Sequence, residues 1–129
     1  MAHRTSPGTP AVDVARRPLD TAGMKASAFR LLGPDDGPDA LPPAADEVPT
    51  LISTLRGHLE LLIPEVEAAA DRRPEDDIPR FCAHACVGEA RRKLAANPRA
   101  GHSEAVAYAR RLARVVKALC EHSETLGGS

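Results

Sequence analysis

The chain has 129 residues, a net charge of −1 and a hydrophobic fraction of 43%. That length suits one domain, and the near-neutral balance excludes a global electrostatic pull toward nucleic acid or a membrane surface. Three cysteines, an odd number, argue against a disulfide framework.

Residues 1–45 hold seven of the twelve prolines and four of the nine glycines. Such a segment buries too little apolar surface to offset its ordering entropy, so it is expected to be disordered. One exception is a short helix over about 24–32, where Met24, Ala28, Leu31 and Leu32 share a face. The first twenty residues lack the apolar stretch of a secretory signal, and no run approaches the roughly 18 apolar residues of a membrane span. A reduced, cytoplasmic protein is the expectation, with no membrane partner.

The first long helix is predicted over about 47–73. Asp46 can cap it, and Pro49 sits early, where its missing N–H costs little. At 100° per residue, Leu51, Ile52, Leu55, Leu59, Leu62, Ile63, Val66, Ala69 and Ala70 fall on one arc. Pro64 lands opposite that arc and Leu61 points away from it, so the helix should bend around the core. A second helix follows over about 78–96, capped by Asp76 or Asp77 and ended by Asn97-Pro98. Its apolar arc is broader: Ile78, Cys82, Ala85, Cys86, Ala90 and Leu94, with Phe81 at one edge. Arg80, His84 and Arg91 are expected to face water. The third helix, about 104–126, starts at the N-cap candidate Ser103 and closes at Gly127-Gly128. Its core face is Ala105, Tyr108, Ala109, Leu112, Val115, Val116, Leu119, Ser123 and Leu126.

Three helices with short loops predict an all-α fold, an antiparallel three-helix bundle over 46–129 behind a disordered tail. Charge supports it. Residues 46–77 carry nine acids and three bases, and residues 78–129 carry nine bases and four acids. An acidic helix on two basic ones is self-complementary. The aromatics are only Phe29, Phe81 and Tyr108. The core is therefore thin, which points to self-association or an unidentified protein partner.

Four groups of residues stand out as candidate sites. Matching helix levels outward from the loops brings His58, Glu89, Arg92 and Tyr108 toward one height. A Glu beside His and Tyr can do acid–base work or hold a ligand, whereas the plainer reading is a polar network that fixes helix register. Cys82 and Cys86 are i, i+4 on one helix, and Cys120 with His122 comes from the next. Cys86 lies off the level of Cys120 by roughly 10 Å at 1.5 Å per residue, so four ligands do not converge and neither metal nor cofactor is expected. Arg91, Arg110, Arg111, Arg114 and Lys117 form basic faces that suit a protein partner. Weak nucleic-acid binding is a further alternative for them, disfavoured by the absence of interleaved aromatics and of a recognition motif. Finally, no phosphate-binding, dinucleotide-binding, nucleophile-elbow or zinc-protease motif is present.

Three stretches carry a resemblance. They are Leu55-Arg56-Gly57-His58-Leu59-Glu60 running on to Val66, Arg80-Phe81-Cys82-Ala83-His84-Ala85-Cys86 running on to Leu94, and Ala107-Tyr108-Ala109-Arg110-Arg111-Leu112 followed by Cys120-Glu121-His122. Together they resemble a family of short, Streptomyces-type actinomycete proteins of unknown function labelled as natural-product biosynthesis proteins. The resemblance covers about Leu51 to Leu126. It implies a biosynthetic setting and no reaction, and it carries no catalytic residues. The leading expectation is a non-catalytic helical interaction or accessory module. The alternative is a small enzyme or ligand binder using His58, Glu89, Arg92 and Tyr108.

Overall fold

The computed structural model describes residues 19–34, 36 and 41–127. Of the segment 1–45 expected to be disordered, residues 1–18, 35 and 37–40 lie outside the described residues, as does the closing Gly128. Four helices occur, α1 (Thr21–Leu32), α2 (Val48–Asp71), α3 (Ile78–Ala95) and α4 (His102–Gly127), and no strand is found among the described residues. Among the described residues the fold is all-helical as expected, but with four helices and not three.

The correction comes from α1. Asp20 caps it, accepting a hydrogen bond from the Gly23 N–H at 2.9 Å. A Cβ on Gly23 would sit 2.3 Å from Asp20 Oδ2, so a larger residue there requires the capping carboxylate to shift. Gly33, at φ 70°, ends the helix, with its N–H bonded to the Phe29 carbonyl. Alone, twelve residues are marginal in water. Here Met24, Ala28, Leu31 and Leu32 are all buried in the common core, and it is this packing that stabilises the helix.

The arc expected for α2 is the one that packs. Leu51, Leu55, Leu59, Leu62, Ile63, Val66 and Ala70 are buried, while Ile52 and Ala69 pack at the edge. Pro64 lies inside the helix on its exposed side and Leu61 is exposed. The cap differs: α2 follows Glu47, whose side chain makes no cap bond to the helix and instead accepts from Ala44 N–H and from Arg30. On α4, Val106, Ala113 and Cys120 are buried beyond the predicted face; Ala113 and Cys120 lie in the core that α1 joins, and Val106 lies beside Pro42.

The arrangement is a central pair with two flankers. α2 and α4 pack on each other; α1 touches both, α3 touches both, and α1 and α3 do not touch. Polar contacts register the flankers. Lys25 and Thr21 of α1 bond to Glu124 of α4, each at 3.0 Å. Arg91 of α3 forms a two-pronged pair with Glu67 of α2, at 2.7 and 3.2 Å. His84 Nε2 lies 2.9 Å from Asp71 Oδ1. At the α2–α3 turn, Arg73 bonds to Asp77, Asp77 caps α3 through the Arg80 N–H, and the Arg80 guanidinium donates to the carbonyls of Asp71 and Arg73.

These contacts set the roll of α3, and the roll differs from the expected one. Ala83, Val87 and Ala90 are the buried residues, with Cys86 and Leu94 at the margin. Ile78, Phe81, Cys82 and Ala85, expected inward or at the edge, are exposed. Arg80, His84 and Arg91, expected to face water, are bound to α2 and its C-terminal turn. The small Ala83 and Ala90 let α3 lie close to its neighbours, which brings those three side chains within reach of their acceptors.

Candidate functional site

The four residues expected to meet separate into three groups. His58 Nε2 lies 3.3 Å from Ser27 Oγ, a contact to α1. Burial pushes its imidazole below the ordinary value, with Asp20 opposing weakly. Glu89 bonds to Arg92, at 2.7 Å, and to Lys93, both on its own helix. Those two cations hold its carboxyl down to about 2. Both partners are on its own helix, so Glu89 is joined to neither His58 nor Tyr108.

Tyr108 belongs to the third group, with a residue the sequence reading did not single out, Arg56. Arg56 Nη1 donates to the Tyr108 hydroxyl at 2.5 Å, and Arg56 Nη2 donates to the Leu94 carbonyl at 2.9 Å. The Tyr108 hydroxyl lies 3.0 Å from both the Lys93 and Ala96 carbonyls, which share its one proton. A physical reason underlies this set. α3 ends at Ala96 in an extended conformation before Pro98, without a glycine cap, so its last carbonyls need donors. A guanidinium at that end also faces the negative pole of the helix. Tyr108 is 1% exposed. Its hydroxyl is committed to structure, and the group is a register lock joining α2, α3 and α4. The signal that might have found Arg56 was its position: on the wheel it lies beside the apolar arc, toward α3.

The thiols are dispersed. Cys82 is exposed, Cys86 half-buried and Cys120 buried. Burial raises the Cys86 thiol, and it raises Cys120 to about 11, with Glu124 adding to the effect. The charged neighbours of Cys120 are Glu124, Lys25 and Glu121, on the α1 side and not toward α3. Among the described residues no group of three His, Cys, Asp or Glu side chains is placed to hold a metal ion. No described helix is long and apolar enough to cross a membrane.

The basic candidates are mostly engaged. Arg91 holds Glu67, Arg114 bonds to Asp36 at 2.9 Å, and Lys117 pairs with Glu121 at 3.1 Å. Arg111 is exposed, and Arg110 is half-buried in the wall of a cavity of about 260 Å³ beside Pro42, His102 and Val106. Two other concavities are a pocket of about 210 Å³ between Lys25, Phe29, Pro34 and Lys117, and a broad depression of about 620 Å³ over Val48, Ile52, Pro98 and His102. None of the three is lined by His58, Glu89, Arg92 or Tyr108.

The most distinctive surface is the outer face of α3. Ile78 is 73% exposed and Phe81 75% exposed. Cys82 and Ala85 continue the apolar stripe, Gly88 follows, and the Glu89–Arg92 pair closes it. Large apolar side chains grouped on one exposed helix face mark an interaction surface more often than scattered ones do.

A family model described as a family of unknown function, DUF6415, matches residues 22–128. The chain belongs to this family. The match begins within α1, so the DUF6415 unit takes in all four helices. It extends N-terminal to the stretch over which the sequence resemblance was drawn. No curated protein matches the chain, and no solved structure matches it.

Proposed function

We propose that the protein is a non-catalytic helical interaction module, acting as an accessory or regulatory partner within a natural-product pathway. One observation carries the interaction reading: Ile78, Phe81, Cys82 and Ala85 form an apolar stripe on the solvent side of a helix whose own core contacts are already made. Leaving that area in water forgoes hydrophobic stabilisation at about 25 cal/mol per Å², which a bound partner recovers. The polar candidates support the same reading from the other side, since Tyr108 and Arg56 are occupied with helix ends and Glu89 is held ionised. The pathway setting rests on the resemblance to short actinomycete proteins alone. Arg111, with Arg114 and Lys117, supplies a second, basic face on α4.

Affinity purification from the native host, read by mass spectrometry, tests this with two baits, the wild type and Phe81→Glu. The expected outcome is a defined protein recovered in near-stoichiometric amount by the wild type and lost with the variant. Recovery of the same proteins by both baits would overturn the α3 surface as the docking site.

A further inference from the structure

The outer face of α3 has a regularity that the apolar stripe alone does not express. Ile78, Phe81, Ala85, Gly88, Arg92 and Ala95 follow alternating steps of three and four, the a/d spacing of a coiled-coil seam. All are exposed except Gly88, which is half-exposed, and a Cβ on Gly88 would meet only the Arg92 guanidinium, at 3.7 Å. We propose that this seam pairs two copies of the chain, α3 against α3 in opposite directions about a two-fold axis. The proposal rests on the interaction-module reading and names its partner.

Size and charge choose the second copy and its direction. Pairing a with d positions in opposite directions sets Ala85 against the second copy's Gly88 at the centre, where two small residues let the backbones approach. Further out, Phe81 meets the second copy's Arg92, whose guanidinium can stack on the ring while its own Glu89 still holds it. At the ends, Ile78 meets Ala95, large against small. The exposed acids Glu75 and Asp76, just before α3, then approach the second copy's Arg99, just after it. The helix dipoles also oppose one another. The same-direction pairing does the reverse: Phe81 on Phe81, a gap at Gly88, Arg92 against Arg92, and acids against acids. The flanking His84 and Arg91 are already paired with Asp71 and Glu67, so neither presents an unneutralised charge at the rim. A two-fold contact of this kind is the commonest form of self-association.

α3 has 18 residues, so the seam is roughly 27 Å long at 1.5 Å per residue. One helix face of that length buries less than the ~800 Å² per partner of a standard interface, which suits a weak, reversible dimer. Sedimentation velocity of the full chain from about 1 to 200 μM, a range that brackets such an affinity, should show monomer giving way to dimer. Phe81→Glu and, independently, Ile78→Glu should remain monomeric across the range with wild-type circular dichroism and melting temperature. Direction is read by disulfide trapping in a Cys82→Ser background. An equimolar mixture of Ala85→Cys and Gly88→Cys chains should cross-link as the mixed dimer, and neither alone should cross-link efficiently. A wild type that stays monomeric at every concentration, a dimer indifferent to both Glu variants, or efficient self-cross-linking of Ala85→Cys would each overturn the proposal. A monomeric wild type leaves the affinity result unaffected, so the two failures are distinguishable.

Discussion

α1 and α3 flank the same central pair, and they use their apolar residues in opposite ways. α1 is the shorter helix and follows a proline- and glycine-rich stretch, yet it buries Met24, Ala28, Leu31 and Leu32. α3 is half as long again and holds Phe81 and two of the three cysteines, yet its largest apolar side chains stand in solvent. The core contribution of α3 is made by Ala83, Val87 and Ala90, and its attachment is largely polar. A flanking helix can therefore be fastened by its greasy face or by its two ends. Only the second kind leaves a greasy face free for something else.

The sharpest way to break this comparison is to cut one large side chain from each flanker. Leu31→Ala removes a wholly buried leucine and should cost about 2–5 kcal/mol by urea denaturation. Phe81→Ala should stay within about 0.5 kcal/mol, as an exposed substitution does. Equal losses would show that α3 is held by Phe81 after all. A smaller effect is expected at the end of α3. Tyr108→Phe keeps the ring but leaves the Arg56 guanidinium and the Lys93 and Ala96 carbonyls short of a partner, at a cost of about 1–3 kcal/mol. Hydrogen exchange should quicken first in the last turn of α3 and not in α1.

Acid gives the smallest effect, and it acts in two pH windows, one at His58 and a lower one at carboxylates that fasten both flankers. His58, which contacts α1, has its value lowered by burial from 6.5. Its contribution is complete above 6.5 and is lost as pH falls below it, because the unfolded chain binds the proton more readily. Depressed carboxylates act lower down. Arg91 holds Glu67 down, Arg73 holds Asp77 down, and Lys25 with Thr21 holds Glu124 down. Their stabilisation is present above the ordinary carboxylate range and is lost as pH falls through their folded values. For Glu89 that window runs from 4.5 to about 2. Melting temperature should thus decline in two stages, and His58→Gln should flatten the upper stage alone.

How far the fold was legible follows from the same contrast. The α2 stripe was readable because nine apolar residues keep one period over the helix, and Pro64 and Leu61 fell where the wheel put them. The face expected for α4 is largely the one that packs, but it is too narrow, since Val106, Ala113 and Cys120 are buried as well, and Ala105 and Ser123 are only half-buried; Ser103, the expected N-cap, lies inside a helix that begins at His102. The face of α1 was recognised, but its membership of the bundle was not, since twelve residues amid prolines carry no sign of a distant partner. α3 failed for another reason. The expected arc is rotated: its Ala90 is buried and its Cys86 and Leu94 reach the core margin, but Ile78, Phe81, Cys82 and Ala85 face out while Ala83 and Val87 face in, and hydrophobicity favours the side that faces out. What settles the roll is reach: Arg80 to the α2 carbonyls, His84 to Asp71, Arg91 to Glu67. The polar group was misplaced on the same account. Tyr108 was singled out correctly, but its partners are Arg56 and backbone carbonyls, and carbonyls leave no mark in a list of side chains.

The bond from Thr21 and Lys25 to Glu124 spans nearly the whole described chain. Among the four helices α1 leaves the ribosome before the others, and the surface of α4 that takes most of its face leaves last. Until then Met24, Ala28, Leu31 and Leu32 have only their smaller contact with α2 to cover them. Of the four helices, the first made thus completes its contacts only when the last is in place.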